Sequence, residues 1–131
     1  MHGEGERAEK NFQLRMKRSL TREERLRSRE DISRVFRSSA KVSCIGAKLV
    51  YNENKLEFNR IAVTLVRKYG NSVVRNRSKR IVREIYRSLK FNIKTGYDMV
   101  IVLYPGDYSY SQRLEQFSYL LKKADLLITS P

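Results

Sequence analysis

The sequence predicts an α/β (α+β) two-layer sandwich, with helices layered on one sheet, in the order helix, two or three strands, helix, strand, helix. The chain has 131 residues, 40% of them hydrophobic, which suits one domain with its own core. Segments with alternating apolar residues are interspersed with segments in which apolar residues recur every three to four positions. The strand–helix–strand unit over residues 56–104 is a crossover, so its two strands are expected to run parallel.

Residues 1–18 have the composition of a flexible tail, and the folded domain is predicted over residues 19–131. The tail contains His2, the only histidine, and lacks the apolar segment of a secretory signal. No apolar run reaches the roughly 18 residues of a membrane-spanning helix. The single cysteine, Cys44, excludes an intramolecular disulfide and is expected to be a small core residue. We therefore expect a protein of the reducing cytoplasm.

The first helix is predicted over residues 29–38, because Ser28 can cap it and Ile32, Val35 and Phe36 form an apolar stripe. Strands are predicted at about 42–51 and at 56–66, with a turn at 52–55. Apolar residues on both faces of 61–66 indicate a strand inside the sheet rather than at its rim. A further strand at 97–104 is expected to be buried on both faces.

A second helix is predicted over residues 72–90, with Asn71 or Ser72 as its cap, and a last helix after Ser109 or Ser111. The apolar residues of the helix at 72–90 fall on one side, which is expected to pack on the sheet, and its basic residues fall on another side. The apolar side contains Val74, Ile81, Val82, Ile85 and Leu89. The basic side contains Arg75, Asn76, Lys79, Arg80, Arg83, Arg87 and Lys90, with Arg77 beside it.

The charge distribution indicates a polyanionic partner. Lys and Arg total 28 and Asp and Glu total 14, so the net charge is +14. Residues 67–90 alone contain nine basic side chains and one acidic one, a net +8. A run of nearly one sign repels itself unless a polyanion neutralises it, which favours nucleic acid over an ordinary solvated face. Arg67 and Lys68, which end the preceding strand, would enlarge the same patch.

The sequence offers binding chemistry and little catalytic chemistry. His2 lies in the predicted tail, and Asp98, Asp107 and Asp125 are scattered along the chain. Glu84 is the one acid on the basic helix, and we interpret it as an ion-pair partner of Arg80 or Arg87. Among the aromatic residues, core packing is favoured for Phe58. Phe36 and Tyr51 are left open between packing and stacking on single-stranded bases.

The segment Val66 to Glu84 resembles the signature of the bacterial ribonuclease P protein component. The specific part is Arg75-Asn76-Arg77-x-Lys79-Arg80 after Gly70-Asn71, and the resemblance extends over about residues 20–128. It implies the order helix, three strands, helix, strand, helix, with a left-handed βαβ crossover. It also implies an RNA-binding subunit that assists a catalytic RNA in removing the 5′ leader from precursor tRNA.

In that family the RNA carries out the hydrolysis with Mg²⁺, and the protein raises the affinity for substrate and metal. The implied partners are ribonuclease P RNA and the 5′ leader of precursor tRNA, without a membrane or a required protein partner. The family's RNA-contacting positions correspond to Lys68, Arg75, Asn76, Arg77, Lys79, Arg80 and Arg83, and the charge pattern adds Arg67 and Arg87. The leader cleft, between the first helix and the sheet, corresponds to Ile32, Phe36, Tyr51 and Thr64. Ile32 stands where many members have a second aromatic residue, and Thr64 stands where a Ser is usual.

The sequence allows three other functions to be compared with this one. A structural protein that binds ribosomal RNA is the main alternative, since it needs the same basic surface and no catalytic group. A self-sufficient nuclease is disfavoured by the missing general base. A membrane-surface helix is disfavoured because helix 72–90 has too few Leu and aromatic residues for an interfacial face.

Overall fold

The computed structural model describes residues 20–38 and 40–128, so the predicted tail and His2 lie outside the described residues. The described residues contain three α-helices, namely α1 (Arg29–Phe36), α2 (Ser72–Leu89) and α3 (Tyr110–Lys123). Their four strands are β1 (Lys41–Cys44), β2 (Ala47–Glu53), β3 (Arg60–Leu65) and β4 (Tyr97–Leu103). A short 3₁₀ helix, Lys90–Asn92, follows α2. The predicted order of elements is confirmed.

Each α-helix begins at a side-chain cap that the sequence predicts. Ser28 accepts a hydrogen bond from the backbone N–H of Asp31, and the Asn71 side chain accepts one from Val74 at 3.0 Å. At the start of α3, Ser109 and Gln112 cap each other's backbone N–H groups in a capping box. These bonds satisfy N–H groups that have no partner within the first turn of a helix, and so fix where each helix begins.

The four strands form one mixed sheet in the order β1-β2-β4-β3. β1, β2 and β4 are antiparallel neighbours, whereas β3 runs parallel to β4, as predicted for the crossover through α2. The prediction that the strand at 56–66 lies inside the sheet is wrong, because β3 is an edge strand. Its outer edge is covered by the preceding segment, where Leu26 donates to the Ile61 carbonyl and Ile61 donates to that of Glu24. The apolar residues on the two faces of β3 are explained by packing on both sides of the sheet, with Ile61 and Val63 in the core beneath α2 and α3 and Ala62 against the cluster on the other face.

Helices lie on both faces of the sheet. α2 and α3 cover one face, over a core that includes Leu49, Ile61, Met99 and Ile101. The short helix α1 covers part of the other face, where Val35 packs with its neighbours in a smaller cluster that includes Leu26, Val50, Val100 and Val102. The predicted packing of helices on one sheet is confirmed, and the structure places α1 on the opposite face from α2 and α3. No helix within residues 20–38 and 40–128 is long and apolar enough to cross a membrane.

Candidate nucleic-acid interface

α2 presents a basic surface on the side away from the core, which we call the basic ridge. Val82, Ile85 and Tyr86 of the same helix are buried against the sheet and α3. Since 3.6 residues make one turn, this burial directs the opposite side of the helix to solvent. Asn76, Arg77, Arg80 and Arg83 are exposed, and Arg75, Lys79 and Arg87 are half-buried. All seven RNA-contacting residues predicted between Arg75 and Arg87 therefore have side chains that are at least partly accessible.

Lys90 does not belong to the ridge, although its position on the predicted basic side places it there. Its side chain is 8% exposed, and its Nζ lies 3.0 Å from Oε1 of Glu24. The segment that covers the edge of β3 supplies this carboxylate. A long-range contact that helical periodicity does not encode thus removes one charge from the surface.

The loop before α2 extends the ridge. Arg67 and Lys68 are exposed at the end of β3, whereas Tyr69 between them and the helix is buried. Gly70 has a φ of +153°, a conformation that side chains disfavour, and it precedes the capping residue of α2. Arg75 donates from Nη1 to the Val66 carbonyl at 3.4 Å. The loop and the first turn of α2 are therefore held together, and their basic side chains share one surface.

Glu84 lies among the arginines of the ridge. Its Oε1 is 3.5 Å from Nε of Arg80 and 3.8 Å from Nη2 of Arg87. The interpretation of Glu84 as an ion-pair partner is therefore confirmed for both arginines. The side chain of Arg80 is 82% exposed, so the pair is open to solvent and screened by salt.

A groove of about 240 Å³ lies between the segment that precedes α1, α1 itself and β3, and we call it the α1 groove. Its apolar wall includes Leu26, Ile32 and Ala62, and Thr64 lies beside them. Arg25, Arg27 and Arg83 add positive charge. Ile32 and Thr64, two of the four predicted cleft residues, thus line the same groove as an arginine of the ridge.

The other two predicted cleft residues are placed differently. Phe36 does not line the α1 groove, but it lies one helical turn after Ile32 on the same side of α1 and is 44% exposed. Tyr51 lies on the opposite face of the sheet from α1. There it packs with the core beneath α2 and α3, and its ring meets that of Tyr97 edge-on at 6.4 Å. Because side chains alternate along a strand, a displacement of one residue in the alignment moves a residue to the other face, and Tyr51 is not a cleft residue.

Sequence reasoning missed the basic residues of the segment before α1. Arg25 and Arg27 flank the buried Leu26 and are exposed, and both line the α1 groove. Arg25 also lines a second groove of about 610 Å³, together with Leu20, Arg80, Arg83, Glu84 and Arg87. We call it the arginine groove. Charge alternating with an apolar residue at 25–27 was a usable signal of an edge segment, but only the contact with β3 places these arginines opposite α2.

The acidic and cysteine side chains of the described part of the chain do not assemble into a metal site. Within that part, no three His, Cys, Asp or Glu side chains lie together as metal ligands. Asp98 is buried and is bound by Arg60, with Nη2 at 2.6 Å and Nε at 2.8 Å, which raises the pKa of that arginine. Cys44 packs against the core as expected, and burial raises the pKa of its thiol, which makes it a poor nucleophile.

An α+β domain with a basic ridge and an adjoining groove defines a protein that binds a polyanion. A family model for ribonuclease P matches residues 20–125. The ribonuclease P protein component of Petrotoga mobilis is 39% identical over 84 residues, which is 64% of this chain and 71% of that protein. That of Natranaerobius thermophilus is 35% identical over 104 residues, 78% of this chain and 90% of that protein.

Solved structures agree in fold. The ribonuclease P protein from Thermotoga maritima matches with a TM-score of 0.68 and 29% identity, over 76% of this chain and 96% of that one. A mutant ribonuclease P protein from Staphylococcus aureus matches with a TM-score of 0.76 and 23% identity, over 89% of this chain and 98% of that one. The chain belongs to the ribonuclease P protein family. It is the protein component of a ribonucleoprotein enzyme of tRNA processing, and none of these matches favours a ribosomal protein.

Proposed function

We propose that this protein holds two RNAs at once, the ribonuclease P RNA on the basic ridge and the 5′ leader of precursor tRNA at the α1 groove. The observation that carries the proposal is the position of Arg83. This arginine belongs to the ridge on α2 and also lines the α1 groove. The two surfaces therefore meet, and a leader in the groove would lie beside the catalytic RNA that cuts it.

The ridge suits the structured RNA. Arginine guanidinium groups bind phosphate with two parallel hydrogen bonds and also stack on bases. Arg77, Arg80 and Arg83 are exposed along one side of a helix that is fixed to the core by its buried side. A rigid row of this kind fits a phosphate backbone of fixed shape better than mobile side chains on a loop do.

The groove suits a single strand. Its apolar wall, with Ile32 and Ala62, offers contacts to bases, and Arg25, Arg27 and Arg83 offer contacts to phosphates. Phe36 extends the apolar side of α1 with a ring that is accessible for stacking. Contacts of these two kinds bind single-stranded RNA with little preference for sequence, which a subunit serving many precursors requires.

We propose that the divalent ions are Mg²⁺ and that phosphates of the RNA bind them. We also propose that the protein acts in the cytoplasm, where its RNA partners are. The donor set of the described residues does not fit a metal site held by protein alone. The ridge would promote metal binding indirectly, because its charge lets RNA strands approach each other while Mg²⁺ occupies the sites between them.

The test is a reconstitution at limiting Mg²⁺. Purified protein, a bacterial ribonuclease P RNA, and both together are incubated with precursor tRNA that carries a 5′ leader. We expect leader release only from the mixture, and tighter binding of precursor than of mature tRNA by the mixture. Binding of RNA without stimulated release would favour a purely structural role, and release by the protein alone would contradict the assignment of the chemistry to RNA.

A further inference from the structure

The α1 groove and the arginine groove are parts of one track. Both are lined by the same three residues, Leu20, Arg25 and Arg83. Arg25 belongs to the segment that pairs with β3, whereas Arg83 belongs to α2. The junction of the two grooves is therefore lined by two arginines, which come from elements that are far apart in the sequence.

Both of these arginines are available to a ligand. Within residues 20–38 and 40–128, neither Arg25 nor Arg83 forms an ion pair, and both are exposed. Their position is nevertheless fixed. The backbone N–H groups of Leu26 and Ile61 tie the first segment to β3, and Ile85 and Tyr86 bury the inner side of α2. Two guanidinium groups without a carboxylate partner that line the same junction offer a binding site for an anion.

We propose that the RNA strand held in the α1 groove continues into the arginine groove, and that Arg25 and Arg83 together bind the phosphate at the junction. This inference rests on the proposed function, since it assumes a leader in the α1 groove. It adds Arg25, from outside the basic helix, to the substrate-binding residues. The other possible occupant of the arginine groove is the ribonuclease P RNA, and the experiment separates the two.

The experiment uses the reconstituted holoenzyme and a series of precursor tRNAs whose leaders grow one nucleotide at a time. Affinity is measured for wild type, for Arg25→Ala and for Arg22→Ala. Arg22 is an exposed arginine of the same segment that lines neither groove, so it controls for the loss of one charge. Assembly of each protein with ribonuclease P RNA is measured separately.

We expect wild type and Arg25→Ala to bind mature tRNA and the shortest leaders equally. Once the leader is long enough to include the phosphate at the junction, the affinity of Arg25→Ala for precursor tRNA should be about threefold to tenfold lower than that of wild type. The same difference should persist for all longer leaders. The slope of log affinity against log salt should become shallower by about 0.7 for these leaders. Because Arg25 and Arg83 bind one phosphate, the double variant Arg25→Ala/Arg83→Ala should lose less than the sum of the two single losses.

Three results would overturn the inference: an equal loss for mature tRNA, a loss in assembly with ribonuclease P RNA, or the same loss in Arg22→Ala. Failure of the proposed function looks different. In that case the wild-type holoenzyme itself would bind precursor and mature tRNA equally well, at every leader length.

Discussion

Nη2 of Arg113 donates a hydrogen bond of 2.7 Å to the hydroxyl of Tyr69, which lies 2.7 Å from Oγ of Ser78. Arg113 belongs to α3, Tyr69 to the loop before α2, and Ser78 to α2 itself. This chain of contacts joins the last helix of the domain to the element that carries the basic ridge. The position of the helix that we propose binds RNA therefore depends on a residue outside the basic ridge.

Arg113 is 3% exposed, and its positive charge is stabilised by oxygens of neutral groups. Nη1 donates to the Gly46 carbonyl and to the Gln116 side chain, both at 2.9 Å, and Nη2 also donates to the Tyr104 carbonyl at 3.2 Å. The guanidinium lies 4.4 Å from the centre of the Tyr108 ring. A buried charge without its full set of hydrogen bonds is costly, so each of these partners matters for stability.

Tyr69→Phe should lower the free energy of unfolding by about 1–3 kcal/mol, because it leaves a buried N–H of Arg113 and the Ser78 hydroxyl without their shared partner. Urea denaturation followed by circular dichroism measures this change. Tyr110→Phe is the matched control, since Tyr110 is exposed at the start of α3 and its loss of a hydroxyl should cost less than about 0.5 kcal/mol. Equal stability of the two variants would show that the Tyr69 hydroxyl contributes nothing.

Local signals in the sequence were sufficient for the helices and the ridge. Capping residues interact with residues three positions away, so they predict where a helix begins. The spacing of Val82 and Ile85 is likewise a local pattern, and it predicts which side of the helix is buried. The parallel pairing of β3 with β4 was also predictable, because a helix between two strands leaves few other connections.

The errors concern contacts between distant segments. No local sequence pattern near residues 60–65 predicts that the segment around Leu26 covers the edge of β3. In the same way, no pattern near Lys90 predicts that Glu24 lies beside it. The face occupied by Tyr51 depends on strand register, which alternation fixes only when the first inward residue is known. The same limit hid Arg25, which lines the arginine groove with residues of α2 that are distant in sequence.

Phe36→Ala should weaken the binding of leader-containing precursor by about 1–3 kcal/mol, the usual contribution of one aromatic ring that stacks on a base. Binding of mature tRNA and assembly with ribonuclease P RNA should not change. Phe91→Ala is a suitable control, because Phe91 is similarly exposed and lies in the 3₁₀ helix after α2. If both variants bind precursor as wild type does, Phe36 does not contact the leader.

Arg77→Ala should reduce the salt dependence of assembly with ribonuclease P RNA. Each phosphate contact contributes about 0.7 to 0.9 to the slope of log affinity against log salt, so the loss of one contact should make the slope shallower by that amount. Filter binding over a range of KCl concentrations gives the slope. Lys122→Ala, which removes an exposed charge from α3, should lower the net charge equally and leave the slope unchanged.

Alkaline pH should destabilise the protein partly through Tyr86. Burial raises the pKa of this phenol far above its ordinary value of 10.0. The unfolded chain therefore releases the proton near pH 10 while the folded protein retains it. The contribution of Tyr86 to stability is complete below about pH 9 and falls by roughly 1.4 kcal/mol per pH unit above pH 10. Urea denaturation at pH 8 and pH 11 should show a weaker pH dependence for Tyr86→Phe than for wild type, and identical pH profiles would contradict this account.

Glu84→Gln should strengthen RNA binding. The carboxylate lies between Arg80 and Arg87, at distances longer than a good hydrogen bond, and the pairs are open to solvent. Such pairs contribute less than about 1 kcal/mol to stability, so the variant should unfold as wild type does. The change in affinity for RNA should be larger than the change in stability, because a phosphate that approaches these arginines is repelled by the carboxylate already beside them.

The comparison that decides the role of Glu84 is with Glu115→Gln, which removes an exposed acid from α3 and raises the net charge equally. Tighter assembly of Glu84→Gln than of Glu115→Gln with ribonuclease P RNA, at one salt concentration, indicates local competition with phosphate. Weaker assembly would have the opposite meaning, namely that Glu84 holds the two arginines in the geometry that RNA requires. Equal assembly of the two variants would show that neither arginine contacts RNA closely. A carboxylate within 4 Å of both arginines would otherwise change the affinity for a phosphate bound to them.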